Sequence, residues 1–237
     1  MMSRVRSALG IIFAALLLGS CGLADDKAPD YRYRLTVEVE TPEGLKTGSS
    51  VIEVEQKLVR WGADPGTGLM ISSKVRGEAV AVDLPGGQTL YALLRSENDV
   101  DWASRVYTLL SQPIPGETAS AQAKRILELK DKQTLPRLWL ANVLLDERSA
   151  YPVMVTFENE ADPTSVKLVD PDDLAATFGE GVALKRITVE LTNARVTETL
   201  EDRLGWIEDA WSHAALKDGP FYAKYPTVIL GLKGHSQ

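Results

Sequence analysis

YRYRLTVEVE, Tyr31 to Glu40, alternates without a fault. Tyr31, Tyr33, Leu35, Val37 and Val39 fall on one side, and Arg32, Arg34, Thr36, Glu38 and Glu40 fall on the other. Successive side chains of a strand point to opposite faces, so a strict period of two predicts a strand with one dry and one wet face. TPEGLKTG, Thr41 to Gly48, carries turn formers, and SSVIEVEQKLVR, Ser49 to Arg60, then resumes the rhythm. There Ile52, Val54 and Leu58 oppose Glu53, Glu55 and Lys57. Two such runs around a turn predict a long antiparallel hairpin. Its apolar face needs a second layer to cover it.

Working outward, ISSKVRGEAVAVDL and QTLYALLR supply two or three more strands, the last pair joined through Pro85-Gly86-Gly87. Leu90 to Leu94 is apolar on both faces, the pattern of a central strand. After Asp99 the period changes. Val100, Ala103, Val106, Tyr107 and Leu110, and then Ala119, Ala123, Ile126 and Leu127, recur at helical spacing on either side of the breaker PIPG. Strands return at Pro152–Phe157, Val166–Val169 and Leu184–Leu191. Between the last two lies DPDDLAATFG, where Asp170 suits an N-cap, Pro171 the first helical position, Asp173 a capping-box-like partner and Gly179 the close. Leu200, Leu204, Ile207, Trp211 and Ala214 step by three and four as a late amphipathic helix, and Thr227–Leu232 (TVILGL) reads as a closing edge strand. Strands in hairpins with a helical block between them predict an α+β fold with a mainly antiparallel sheet. The block near residues 99–132 is a candidate divider between two subdomains within a body spanning 31–237.

The chain opens MMSRVRS, then runs ALGIIFAALLL, Ala8 to Leu18, before Gly19 and Ser20. A basic start, an apolar run of eleven and small residues read as a secretory signal, and the run is too short for a bilayer span of about 20 residues. Leu18-Gly19-Ser20-Cys21 resembles the lipobox of bacterial lipoproteins. The resemblance implies removal of residues 1–20 by cleavage between Ser20 and Cys21, thioether lipidation of Cys21, and acylation of the new amine. Several acyl chains, at about 0.8 kcal/mol per buried methylene, hold a protein on a membrane where one does not. Gly22 follows the lipidated residue, and no Asp stands there; by resemblance to enterobacterial sorting this favours the outer over the inner membrane. GLADDKAPD, Gly22 to Asp30, has no apolar period and reads as a tether reaching at most about 30 Å.

Loss of residues 1–20 takes Arg4 and Arg6 and no acid, so 26 basic residues become 24 against 33 acidic, a net charge of −9. Such a body is a poor partner for nucleic acid. With Cys21, the single cysteine, carrying lipid, no thiol is left for a disulfide, a zinc ligand or a nucleophile.

Chemistry has little to draw on. The two histidines are His213, on the late helix beside Trp211, and His235, three residues from the end. No Gly-x-Ser-x-Gly or Ser-x-x-Lys occurs. Gly62-Ala63-Asp64-Pro65-Gly66-Thr67-Gly68 lacks the Lys-Ser/Thr and the following helix of a phosphate loop, and reads as a turn between strands. Acids crowd at Glu158, Glu160, Asp162, Asp170, Asp172 and Asp173 without the spacing of a calcium loop, and capping accounts for two of them. No catalytic residue, metal ligand or cofactor site is therefore assigned. Among the five tryptophans, Trp102 and Trp206 sit one residue off their apolar stripes and are the candidates for a partner-binding surface.

Tyr151–Thr192 (YPVMVTFENEADPTSVKLVDPDDLAATFGEGVALKRITVELT) resembles a segment of uncharacterised proteobacterial envelope proteins, with its Val-Thr-Phe stretch, Asp-Pro-x-Ser-Val turn and Arg-Ile-Thr-Val strand. Tyr31–Glu55 is similar to such proteins as well. The resemblance brings no activity with it. The expectation from the whole chain is a lipid-anchored protein on the periplasmic face of the cell envelope, with a non-catalytic protein-binding body, one form of which is an immunity or inhibitor protein. The alternative is an envelope hydrolase using carboxylates with or without His213.

Overall fold

The structure, a computed structural model, describes residues 28–60, 68–111, 114–140, 147–214 and 227–234. The lipobox with Cys21, most of the tether, the 61–67 part of the glycine loop and His235 lie outside the described residues. The strands are β1 (Tyr31–Thr41), β2 (Gly44–Arg60), β3 (Leu69–Arg76), β4 (Val80–Asp83), β5 (Thr89–Ala92), β6 (Gln133–Thr134), β7 (Leu138–Leu140), β8 (Glu147–Ser149), β9 (Met154–Phe157), β10 (Val166–Val169) and β11 (Ala183–Leu191). The helices are α1 (Trp102–Leu110), α2 (Ala119–Ile126), α3 (Ala175–Phe178), α4 (Leu200–Arg203) and α5 (Ile207–Ala214).

β1 is the axis of the molecule. It pairs antiparallel with β2, Tyr33 opposite Ile52, and on its other side with β11, Leu35 opposite Val189. β3 and β6 complete a five-stranded sheet in the order β3-β2-β1-β11-β6. The alternation in YRYRLTVEVE decides which face is which. Tyr33, Leu35, Val37 and Val39 are wholly buried, as are Ile187 and Val189 beside them. The wet face is laced with cross-strand ion pairs, Arg32 with Glu53, Arg34 with Glu190 and Arg186 with Glu38.

A second sheet, β10-β9-β5-β4, lies across the dry face. The sheets meet closely at Gly48, where an added Cβ would stand 2.1 Å from the Ala81 carbonyl oxygen. The helical block fills the rest of this layer, and Tyr107 of α1 packs its ring 5.7 Å from Tyr31 and 5.6 Å from Tyr33. Their hydroxyls donate to backbone oxygens of α1, Tyr33 to Ala103 at 2.7 Å and Tyr31 to Ser104 at 3.3 Å. Burial pushes the pKa values of both phenols up, so both stay neutral and remain donors. The far face of the second sheet is also dry. Tyr91, Leu93, Val155 and Phe157 pack there against Leu200, Leu204, Ile207, Ile229 and Leu232. β5, buried at every position, is thus the central strand expected of TLYALL.

The α+β, mainly antiparallel class holds. Several local expectations do not. The block near 99–132 divides nothing, because each sheet draws strands from both sides of it, β1 with β11 and β5 with β9. Thr227–Leu232 is no edge strand. Thr227–Gly231 coils as a 3-10 turn, and Ile229 and Leu232, three apart, both turn inward. The late amphipathic helix is two short ones, broken at Leu204-Gly205-Trp206. Helix α3 starts later than Asp170. That carboxylate accepts from Asp172 N–H in a local turn, and Asp173 accepts from Ala176 N–H at 3.1 Å, while Gly179, with φ at +99°, closes the helix as expected. The short strands β6, β7 and β8 carry no periodic signal in the sequence.

Candidate functional site

The two tryptophans proposed for a partner surface have different fates. Trp102 is fully buried, its indole N–H donating to the Ala150 carbonyl at 3.0 Å, so it is a core residue and offers no surface. One position off the apolar stripe is still inside here, because the chain at Ala150 meets the indole where a helical stripe alone would leave it at the border. Trp206 is half-buried in the turn between α4 and α5. Its ring packs edge-on against Phe157 at 5.7 Å and its N–H donates to Glu160 O at 2.7 Å, so it borders the second core.

The dense acids are each engaged. Glu158 pairs with Lys167, and Glu160 accepts from the Tyr91 hydroxyl at 2.6 Å. Asp162 accepts the backbone N–H and hydroxyl of Thr164, which hold its pKa low. Asp172 takes a forked grip from Arg137, whose hydrogen bonds lower the carboxylate and raise the guanidinium. Arg137 also lies over the Tyr151 ring, 5.3 Å from its centroid. No group of three His, Cys, Asp or Glu able to hold a metal ion occurs among the described residues. His213 lies on α5, whose outer half has no described side chains.

A different place has unspent chemistry. Where β5 ends, Leu94 N–H donates to Gly231 O at 2.7 Å and Arg95 O accepts from Val153 N–H at 2.8 Å, which pins the backbone on both sides. Ser96 N–H then donates to Asp99 O, a turn that leads into α1. The 229–234 segment returns along this end, held by Ala79 N–H to Leu232 O and Gly234 N–H to Gly77 O, both at 2.8 Å. Between them opens a cavity of about 180 Å³ lined by Ser73 and Val75 of β3, Leu94, Arg95, Val100, Asp101, the start of α1, Leu230 and Lys233.

Two glycines let the walls approach. A Cβ on Gly231 would stand 2.8 Å from Arg95 Cγ, and one on Gly234 would stand 2.6 Å from the Val75 carbonyl oxygen. Arg95 therefore lies flat over Gly231. Its Nε is sealed from solvent with no acceptor, and it forms no ion pair with any described residue. A buried donor without a partner costs on the order of 1–3 kcal/mol, more where the group is charged. Lys233, the other cation of the cleft, is committed elsewhere. Desolvation depresses its ammonium, but Glu201, at 2.6 Å, and Glu208 outweigh it and the net pKa is raised.

Nothing in the sequence singles out Arg95. The signal that exists is a lone cation ending a strand apolar on both faces, LYALLR, and a Gly-Leu-Lys-Gly run far downstream. Fold and cleft together define an α+β protein with a small amphipathic cavity and, among the described residues, an uncommitted guanidinium in its wall. No protein-family model, curated protein or solved structure matches the chain.

Proposed function

We propose that this chain is a cell-envelope lipoprotein, moored through Cys21 on the periplasmic side of the membrane, most naturally the outer one, whose body binds another protein. The observation that carries the binding reading is the Arg95 cleft. A guanidinium that lines a cavity beside an apolar wall, with no ion pair to any described residue, is a poor way to build a core and a good way to meet a ligand. The mooring reading rests on the lipobox and agrees with one geometric fact. Tyr31 pairs with Val54, so β2 and β3 run on beyond β1 as a two-stranded ribbon. Asp30 lies along its base, accepting Gln56 N–H at 2.7 Å, and the outer end of the ribbon exposes Val59, Leu69 and Met70. The body thus begins at the base of a ribbon whose outer end is apolar, a suitable surface to lie against lipid headgroups.

Mooring matters to binding by restricting the search. A tether of this reach keeps the cleft within tens of ångströms of the membrane and raises its effective concentration towards anything else held there.

Two measurements test the reading. Cys21→Ser should release the protein from the membrane fraction, and unchanged fractionation would refute the mooring. A photo-crosslinking residue at Val100, exposed on the cleft rim, should capture one specific protein in cells, while the same residue at Leu168, equally exposed on the far edge, should not. Absence of a Val100-specific adduct would refute the binding role of the cleft.

A further inference from the structure

We propose that the Arg95 cleft recognises a carboxylate carried on a short aliphatic body, with Arg95 as its counter-cation. The inference rests on the binding reading for the choice of surface and adds the chemistry of what enters it. A guanidinium presents N–H donors in a planar fork that matches the two oxygens of a carboxylate. Arg95 holds that fork still, its stem laid on Gly231 and its carbonyl fixed by Val153 N–H. The Nε is sealed, so the donors an entering acceptor meets are the terminal nitrogens of the fork, which are not sealed and bond to no described residue.

Charge decides between anions. Lys233 is already shared by Glu201 and Glu208, so Arg95 is the one uncommitted cation among the described lining residues, and Asp101 adds a negative charge to the same lining. That balance suits a monoanion and disfavours phosphate or a dicarboxylate. The rest of the ligand follows from the walls. Val75, Leu94, Val100 and Leu230 supply apolar surface, and Ser73 and Ser104 supply hydroxyls at the edge. A cavity of about 180 Å³ has room for a carboxylate and a short branched chain. A free branched-chain acid and the C-terminal leucine or valine of a protein share this chemistry.

The test uses the full-length chain in detergent, titrated with 4-methylpentanoate, with its amide, and with acetyl-Ala-Ala-Leu bearing either a free or an amidated terminus. The expected result is saturable binding of the free acids, loss of binding for both amides, and weakening by about tenfold or more in Arg95→Gln. Tighter binding of the peptide acid than of 4-methylpentanoate identifies a chain terminus as the ligand; the reverse identifies a free acid; both uphold the proposal. A shift of the Arg95 guanidinium N–H resonances on binding, read on the unaltered protein, keeps the test independent of how the variant folds. Equal binding of acid and amide, no binding at roughly 10 mM, or an unmoved Arg95 resonance would each overturn it. If the titrations fail while Val100 still captures a protein, the carboxylate is wrong and the binding surface stands; if the titrations succeed without an adduct, the reverse holds.

Discussion

Glu78 and Thr199, 121 positions apart, are joined by a carboxylate that caps a helix from another part of the chain. Glu78 Oε1 accepts the Thr199 backbone N–H at 2.7 Å and its hydroxyl at 2.8 Å, and Oε2 accepts Leu200 N–H at 3.0 Å. Glu78 is 1 % exposed, and no cation pairs with it among the described residues. Three donors at the start of α4, the helix that covers the second core, hold its carboxyl oxygens. The same residue fixes the other layer, since its carbonyl accepts from Ser50 Oγ at 2.7 Å. Glu78→Ala orphans three donors and should cost about 3 kcal/mol or more. Glu78→Gln turns an N–H donor towards Leu200 N–H and should fall between Ala and wild type. Thr199→Val removes one bond and should cost about 1 kcal/mol. Urea unfolding of the three variants checks the order.

Gly48 should be the least replaceable residue of β2. It lies on the dry face opposite Val37, where β4 crosses, and a methyl there would overlap the Ala81 carbonyl at 2.1 Å. Backbone cannot rotate aside as a side chain can, so relief requires the sheets to part. Gly48→Ala is expected to destabilise by on the order of 3 kcal/mol, and Gly44→Ala, with open space around its Cβ but φ at +106°, by about 1 kcal/mol. Thermal midpoints of the two variants test the contrast.

What the sequence disclosed follows from where a local pattern and the tertiary layer agree. β1, β2 and β11 announce themselves because each has one face on the core and one in water, so burial is written in every second residue. β5 does so by having no wet residue at all. Thr227–Gly231 misleads because its β-branched and apolar residues suit a strand, yet it pairs with no sheet strand. Its 3-10 turn instead sets Ile229 and Leu232, three apart, into the second core. Trp102 misleads because a helix stripe marks one buried side, and α1 is covered on more than one. The site was hidden for a different reason. A cleft built from Arg95, Val100, Leu230 and Lys233 joins residues more than 130 positions apart, and an unpaired cation has no period to find.

Trp102 makes the difference between surface and core measurable. Its indole fills the first core and satisfies the Ala150 carbonyl. Trp102→Ala should cost about 3–5 kcal/mol, the range for deleting a large buried aromatic. Trp102→Phe keeps most of the volume, leaves that carbonyl unpaired and should cost about 1–3 kcal/mol. A Trp102→Ala variant of wild-type stability that lost only partner binding would contradict its burial. Trp206→Ala, by contrast, should cost less, because its ring is only half-buried, although the contact with Phe157 and the hydrogen bond to Glu160 O are lost.

Acid stability should turn on carboxylates that fold into forked contacts with arginine. Hydrogen bonding to Arg203 lowers the pKa of Asp83 below its ordinary value, despite some opposing desolvation, and Arg137 does the same for Asp172. A carboxylate whose folded pKa lies below its unfolded one contributes stability that is fully present above the unfolded value, about 4. That contribution is lost as pH falls through the lowered folded pKa. Stability should therefore be flat in these two pairs from pH 7 to about 5 and decline below about 4. Asp83→Asn and Asp172→Asn should each remove part of that slope and leave the variant less sensitive to acid than the parent, though no more stable at neutral pH. Both pairs are largely exposed, so the effect should shrink in high salt. Unfolding midpoints measured between pH 7 and 3, at low and high ionic strength, test this. An acid limb unchanged in both variants would place the pH sensitivity elsewhere in the chain.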